Sequence, residues 1–243
     1  TLWSGEPVNR DIDPTAAAEG LAPVREALER EDYRAADRLQ RRLQGKFSQS
    51  YSPLGSLTLD FGESGEATAY SRELDISRAV SRVDYARDGA NFSREYFVSA
   101  PDKVLAVRLR GDRRGSLNCK IGFGSQLRFK ATAADGMISI DGYAPYDIAR
   151  DRTISWDENR GTRFMTLAKV VSADGDVRCE GDKLVLEGCT DAVLLVTVAT
   201  SFNGFDKDPA KEGRDYRALA AEQMAAAEKL SYKSLRKRHT ADF

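Results

Sequence analysis

The side chains able to do chemistry are few in kind. The chain of 243 residues holds one histidine and three cysteines. His239 stands in a charged tail among Arg236, Lys237, Arg238 and Asp242. That setting suits a helix residue that packs near the chain end better than the base of a nucleophilic triad. Cys119, Cys179 and Cys189 lack C-x-x-C spacing, and one histidine cannot complete a usual zinc site, so no metal is expected. Cys179 and Cys189 could bridge a hairpin, but buried free thiols are the preferred reading. Gly122-Phe123-Gly124-Ser125 lacks the lysine and helix start of a phosphate cradle and reads as a turn. Asn203 to Asp208 carries alternating oxygen donors, but Lys207 stands between the acids and Pro209 breaks the calcium-loop pattern. An Asn-Gly turn leading into a helix capped by Asp208 fits better. With 38 Asp and Glu, carboxylate pairs are too plentiful to select a glycosidase-type pair. There remain loop aromatics, Trp3, Trp156, Tyr143, Tyr146, Phe202 and Phe205, whose faces suit the apolar C–H side of a sugar ring. For each one singly, loop anchoring or contact with a neighbouring domain is the plainer explanation.

The elements that would hold these residues fall into three zones. Up to about Gln44 the pattern is helical. Asp13 caps, Pro14 occupies the first turn, Gly20 breaks the pattern, and Pro23 opens a fresh helix whose Leu21, Val24 and Leu28 share a face. A further helix from Asp32 buries Ala36, Leu39 and Leu43, leaves four arginines in water and stops near Gly45. From Tyr51 to Ser201 the pattern is β. Leu57, Leu59 and Phe61 alternate with Thr58 and Asp60, and Leu105, Val107 and Leu109 with Ala106, Arg108 and Arg110. Val193 to Val198 is a run for a strand buried on both faces. Asp135-Gly136, Asp141-Gly142 and Asp174-Gly175 suit tight hairpins, and Glu63 to Glu66 and Asp112 to Gly115 suit longer ones. Many short strands without strand-helix alternation indicate an antiparallel sandwich. From Asp208 onward the chain is helical again, with one stripe from Tyr216 to Ala227 and another through Tyr232, Leu235 and His239 after a break near Ser231. Lys233 to Arg238 reads as a solvated face.

Lysine and arginine number 37, so the formal net charge is −1 and no nucleic-acid footprint is present. No apolar run is long enough to span a bilayer, so no membrane partner is expected. The opening Thr1-Leu2-Trp3, without methionine, reads as the start of a piece of a longer chain.

Five strings carry a resemblance. They are Thr1-Leu2-Trp3-Ser4-Gly5-Glu6-Pro7, Tyr51-Ser52-Pro53-Leu54-Gly55 through Phe61, and Tyr70-Ser71-Arg72-Glu73-Leu74-Asp75-Ile76. The others are Phe92-Ser93-Arg94-Glu95-Tyr96-Phe97 through Asp102, and Thr200-Ser201-Phe202-Asn203-Gly204-Phe205. In order and spacing these resemble the N-terminal domain of glycoside hydrolase family 95, the inverting α-L-fucosidases. The resemblance implies a mainly β chain, a large antiparallel β-sandwich over 1–207 with N-terminal helices. It also implies a helical linker over 208–243 leading to an (α/α)6 catalytic barrel of the same polypeptide. The glycan would be met by the full enzyme, with no cofactor and with catalytic residues only in the barrel. It points to a periplasmic or secreted protein. Trp3, Ser4, Phe202, Asn203 and Phe205 become the candidates for the rim of the sugar site or the domain interface. A carbohydrate-binding module and a purely structural domain are the rival readings.

Overall fold

The computed structural model describes residues 2–3, 14–43, 49, 51–62, 65–149 and 151–243. The chain order is β1 (Leu2–Trp3), α1 (Pro14–Glu29), α2 (Tyr33–Gln40), β2 (Tyr51–Ser52), β3 (Ser56–Asp60), β4 (Thr68–Asp75), β5 (Val80–Arg87) and β6 (Ala90–Ser99). Next come β7 (Val104–Gly111), β8 (Leu117–Gly124), β9 (Arg128–Ala134), β10 (Met137–Tyr143), β11 (Asp147–Ile148) and β12 (Ile154–Ser155). The chain continues through β13 (Arg163–Ala173), β14 (Asp176–Glu180), β15 (Lys183–Cys189), β16 (Asp191–Thr200), α3 (Tyr216–Ala227) and α4 (Tyr232–Asp242). An eight-stranded sheet runs in the order β4-β5-β6-β7-β16-β13-β10-β9, and a four-stranded sheet in the order β14-β15-β8-β3. The fold is mainly β with helical extensions, as the strand pattern indicates.

Two apolar layers hold it together. Between the sheets, Leu117, Cys119 and Ile121 of β8 and Leu184 and Leu186 of β15 meet Val107, Leu109, Ile138, Ile140, Phe164 and Leu194. On the other side of the large sheet, Phe97, Val104, Ala106, Leu167 and Leu195 meet Tyr216, Ala220, Met224, Ala227 and Leu235 of α3 and α4. The continuous run in β16 therefore serves both faces, since Leu194 enters one layer and Leu195 the other.

Charges seat the two C-terminal helices. Tyr216 donates its hydroxyl to Asp141 at 3.1 Å, and Arg217 reaches the other oxygen of Asp141 at 2.7 Å. In α4, Tyr232 donates to Glu95, Arg236 pairs with Glu95 at 3.2 Å, and Arg238 meets Asp102 at 2.7 Å. The Asp102 side chain is only 4% exposed, so Arg238 and the Ser99 hydroxyl take the place of water around it. The basic run is thus not a purely solvated face: two of its arginines clamp the helix to the sheet. His239 is buried, stacks on Phe97 and approaches the Ala79 carbonyl through Nε2 at 3.1 Å.

Several local expectations change. α1 is continuous through Gly20 and Pro23, and its buried residues are Gly20, Val24 and Ala27, with Leu21 and Leu28 exposed. α1 and α2 pack against each other, and a Cβ on Gly20 would stand 3.0 Å from Leu43. That close approach, not a helix break, explains the glycine. α2 begins where expected, with Asp32 capping it through the Ala35 amide. Asp208 closes a single turn, accepting from Ala210, while α3 starts later with Asp215 as cap. The expected Asp13 cap and Gly45 stop lie outside the described residues.

Asp135-Gly136 is a tight hairpin with φ of 50° and 71°. Asp141-Gly142 lies inside β10, where a Cβ at Gly142 would come within 2.5 Å of the Phe164 ring. Asp174-Gly175 and Asp112 to Gly115 are crossings between sheets, from β13 to β14 and from β7 to β8. Glu63 to Glu66 falls in another such connection, between β3 and β4, with 63 and 64 outside the described residues. Gly122 to Gly124 belongs to β8 and is no turn. Cys119, Cys179 and Cys189 are free, but Cys179 is exposed where a buried thiol was expected.

Leu194→Ala and Leu195→Ala each remove a nearly inaccessible side chain from opposite layers. Each is expected to lower stability by about 2–5 kcal/mol in urea unfolding. A small loss for one of the pair would mean that its layer is not a core.

Candidate functional site

One end of the sandwich gathers most of the aromatic candidates. β1 pairs antiparallel with β2, placing Trp3 opposite Tyr51. The Trp3 indole N–H donates to the Gln49 carbonyl at 3.1 Å. The Gln49 side chain bridges onward, donating to Asp147 at 2.7 Å and accepting from the Ile148 amide at 3.2 Å. Phe202, just beyond β16, meets Trp3 edge to face, with ring centroids 5.6 Å apart and planes at 88°. Residues 3 and 202 are thus brought together by the termini of strands far apart in sequence.

The segment after β16 is a closed loop. Asn203 donates to the Glu212 carbonyl at 2.9 Å and accepts from Arg214 at 3.3 Å, so its amide holds the loop shut. The Arg214 amide donates to the Ser201 carbonyl at 3.0 Å. A Cβ on Gly213 would lie 2.1 Å from the Pro209 carbonyl oxygen, so only glycine closes the loop here. This loop presents Phe205, 85% exposed, and part of Phe202, 39% exposed. Ser4 lies outside the described residues. Of the five candidates, Trp3 and Phe202 form one contact, Asn203 is a loop brace, and Phe205 projects separately.

The other loop aromatics are engaged. Trp156 is partly buried against the inter-sheet core, edge-on to Tyr143 at 6.1 Å and under the Arg128 guanidinium at 5.0 Å. Tyr146 is covered by Arg160 at 3.8 Å. Neither forms a bare platform for a sugar ring.

A second feature went unread in the sequence. A cleft of about 440 Å³ on the helix side of the large sheet is lined by Arg82, Asp84, Glu95, Arg108, Arg110 and Arg236, among others. Its arginines are all ion-paired: Arg82 with Asp84 at 2.6 Å, Arg108 and Arg110 with Asp191 at 2.5 and 3.4 Å, and Arg236 with Glu95 at 3.2 Å. The hydrogen bond from Arg82 holds the Asp84 carboxyl below its ordinary range. The signal was present in the period-two spacing of Arg82 with Asp84 and of Arg108 with Arg110, which places each pair on one strand face.

The clear titration shifts follow from local contacts. Every carboxylate among the described residues with a clear shift is lowered, Asp174 by the Asp191 and Thr190 amides and Asp112 by Asn91. Burial pushes the Cys119 thiol up to about 12, which leaves it a protonated core residue. Burial, reinforced by Glu95, likewise raises the Tyr232 hydroxyl and keeps it a donor.

The architecture is an accessory β-sandwich of the kind found at the N-terminus of glycoside hydrolases. The family model for "Glycosyl hydrolase family 65, N-terminal domain" matches residues 1–204, and the chain belongs to this family. It is 30% identical over its whole length to "Alpha-L-fucosidase 2" of Arabidopsis thaliana, of which it spans 30%. It is 38% identical over 60 residues to "Probable alpha-fucosidase A" of Aspergillus niger, a stretch covering 25% of this chain and 8% of that protein. A solved structure titled "Putative kojibiose phosphorylase from human microbiome" superposes with a TM-score of 0.48 at 12% identity, over 73% of this chain and 24% of that one. No helix among the described residues is long and apolar enough to cross a membrane.

Two outcomes are expected. Trp3→Ala loses a ring contact and a hydrogen bond and should cost about 1–3 kcal/mol in urea unfolding, whereas Phe205→Ser should stay within about 0.5 kcal/mol. Equal effects would remove the distinction between anchor and free surface. Because Asp84 and Asp174 bind protons more weakly folded than unfolded, their stabilisation is complete above the ordinary aspartate value of 3.8 and is lost below it. The urea midpoint should therefore start to fall as the pH drops through about 3.8 and keep falling below it, and Asp84→Asn should flatten that slope.

Proposed function

We propose that this chain is the accessory N-terminal domain of an inverting α-L-fucosidase-like glycoside hydrolase acting on terminal α-L-fucosides of glycans. On this reading residues 1–207 are the sandwich and 208–243 the linker to an (α/α)6 barrel that carries the catalytic groups. The single observation that supports it most is the whole-length similarity to a protein named as an α-L-fucosidase. The five strings that resemble family 95 run through the same length. The domain's part is mechanical: it buttresses the barrel and lends the Trp3 and Phe202 to Phe205 end to the interface or to the rim of the sugar pocket. α3 and α4, clamped by Asp141, Glu95 and Asp102, suit a linker that leaves the sandwich in a fixed direction. The periplasmic or secreted location follows from the same resemblance.

The family-65 description of the matching domain model supports a second reading, in which the parent enzyme acts on a different glycoside. The full polypeptide, assayed on aryl α-L-fucoside, α-L-galactoside and α-glucoside, separates the two. Fucoside hydrolysis with inverted product, read by NMR, is the expected result; turnover of the glucoside alone would reject the fucosidase reading. The 243-residue chain by itself should hydrolyse none of them.

A further inference from the structure

The sandwich end remote from Phe202 carries a cleft of different character. β16 runs from Asp191, beside Arg110 of β7, to Thr200, so the β7–β8 crossing and the Trp3 contact lie at opposite ends of the same strand. A cleft of about 390 Å³ opens beside this crossing, lined by Phe61, Arg87, Phe92, Arg113, Arg114, Ser116 and Asn118 among others. That volume suits a small ligand such as one or two sugar rings. We propose that it binds an acidic saccharide through the oxyanion of a sulfate ester or a uronate carboxylate.

The charge differs from that of the 440 Å³ cleft. Three guanidinium groups line it and the one acid is Asp88, whose side chain is 58% exposed and 3.9 Å from Arg87. Asp112, next in sequence to Arg113, is already engaged, accepting from the Asn91 amide at 2.8 Å and its side chain at 2.6 Å. Arg113 and Arg114 are exposed and form no ion pair among the described residues. Arg87 is the fixed member: it donates to the Phe61 carbonyl at 3.3 Å, lies 5.9 Å over the Phe92 ring, and its buried Nε has no hydrogen-bond partner. Gly115 adopts φ of 70° and donates to the Thr190 hydroxyl at 3.1 Å, pinning the loop that carries both free arginines. Asn118 accepts from the Gly188 amide at 2.8 Å, which leaves its side-chain N–H donors for a ligand.

Guanidinium forks match the geometry of sulfate and carboxylate oxygens. Phe61 lies under the Arg94 guanidinium at 3.8 Å and Phe92 is buried and stacked on Tyr85, so these rings wall the cleft and recognition falls to the arginines. The choice of a saccharide rests on the glycan-processing reading above; the anion rests on the arginines alone. The failures are distinguishable, because anion binding is read on this chain and glycoside specificity on turnover by the longer polypeptide.

The test is calorimetry on the 243-residue chain with glucose 6-sulfate, a glucuronate disaccharide, glucose and sodium sulfate. At least one acidic saccharide should bind saturably and glucose should not, and the affinity should fall as salt rises. The doubly substituted R113Q/R114Q chain should bind about tenfold more weakly, with an unchanged melting temperature because both side chains are solvent-facing. The sulfate and glucuronate arms identify which oxyanion is favoured. No saturable binding of either acidic sugar, undiminished binding by the double variant, or sodium sulfate binding as tightly as the sulfated sugar (an adventitious ion only) would each overturn the proposal.

Discussion

Three central strands of the large sheet, β7, β16 and β13, are apolar on both faces, and this one property dictates the layers. A strand whose successive side chains point in opposite directions cannot hide both sets behind one partner. The small sheet covers Leu109, Leu194 and Ala168, while α3 and α4 cover Ala106, Leu195 and Leu167. The C-terminal helices are therefore structural to the sandwich even though they resemble the start of a linker. Removing them would bare a sheet face as apolar as a domain interior.

That cover had to be oriented as well as attracted. Apolar contact is non-directional, so a helix laid on a flat sheet could slide or rotate at little cost. Asp141, Glu95 and Asp102 prevent this, each accepting from a helix side chain at the edge of the apolar patch. The arginines that looked like ordinary solubilising charge carry the alignment. The exposed aromatic end is built in the same manner, with Gln49 linking the β1 strand to β11 and Trp3 lodged against Phe202.

Much of the fold was legible in the chain because it depends on local periodicity. The alternation in β3, the two-faced run of β16, the start of α2 near Asp32 and the stripes of α3 and α4 are all properties of neighbouring residues. What could not be read depended on tertiary neighbours. Gly142 is small because the Phe164 ring stands within 2.5 Å of where its Cβ would be, and Gly20 faces the Leu43 methyl 3.0 Å from its own Cβ position. The crossings at Asp112 and Asp174 carry the same turn chemistry as hairpins, and only the sheet order shows that they change layers. For the candidate site, the residue types were legible but not their employment: Asn203 proved a brace, and the meeting of residues 3 and 202 has no local signal.

The pairing of β7 with β16 has a kinetic meaning. Leu109 lies opposite Ala192, and Val107 opposite Leu194, so the seam at the middle of the sheet joins segments more than eighty residues apart. Closing such a loop precedes any reward from the contacts inside it. During synthesis β7 emerges well before its central partner, with both apolar faces uncovered, and waits while β8 to β15 are made. The last strand added is the one that completes the sheet, which makes assembly slow and exposes the nascent chain to association with its neighbours.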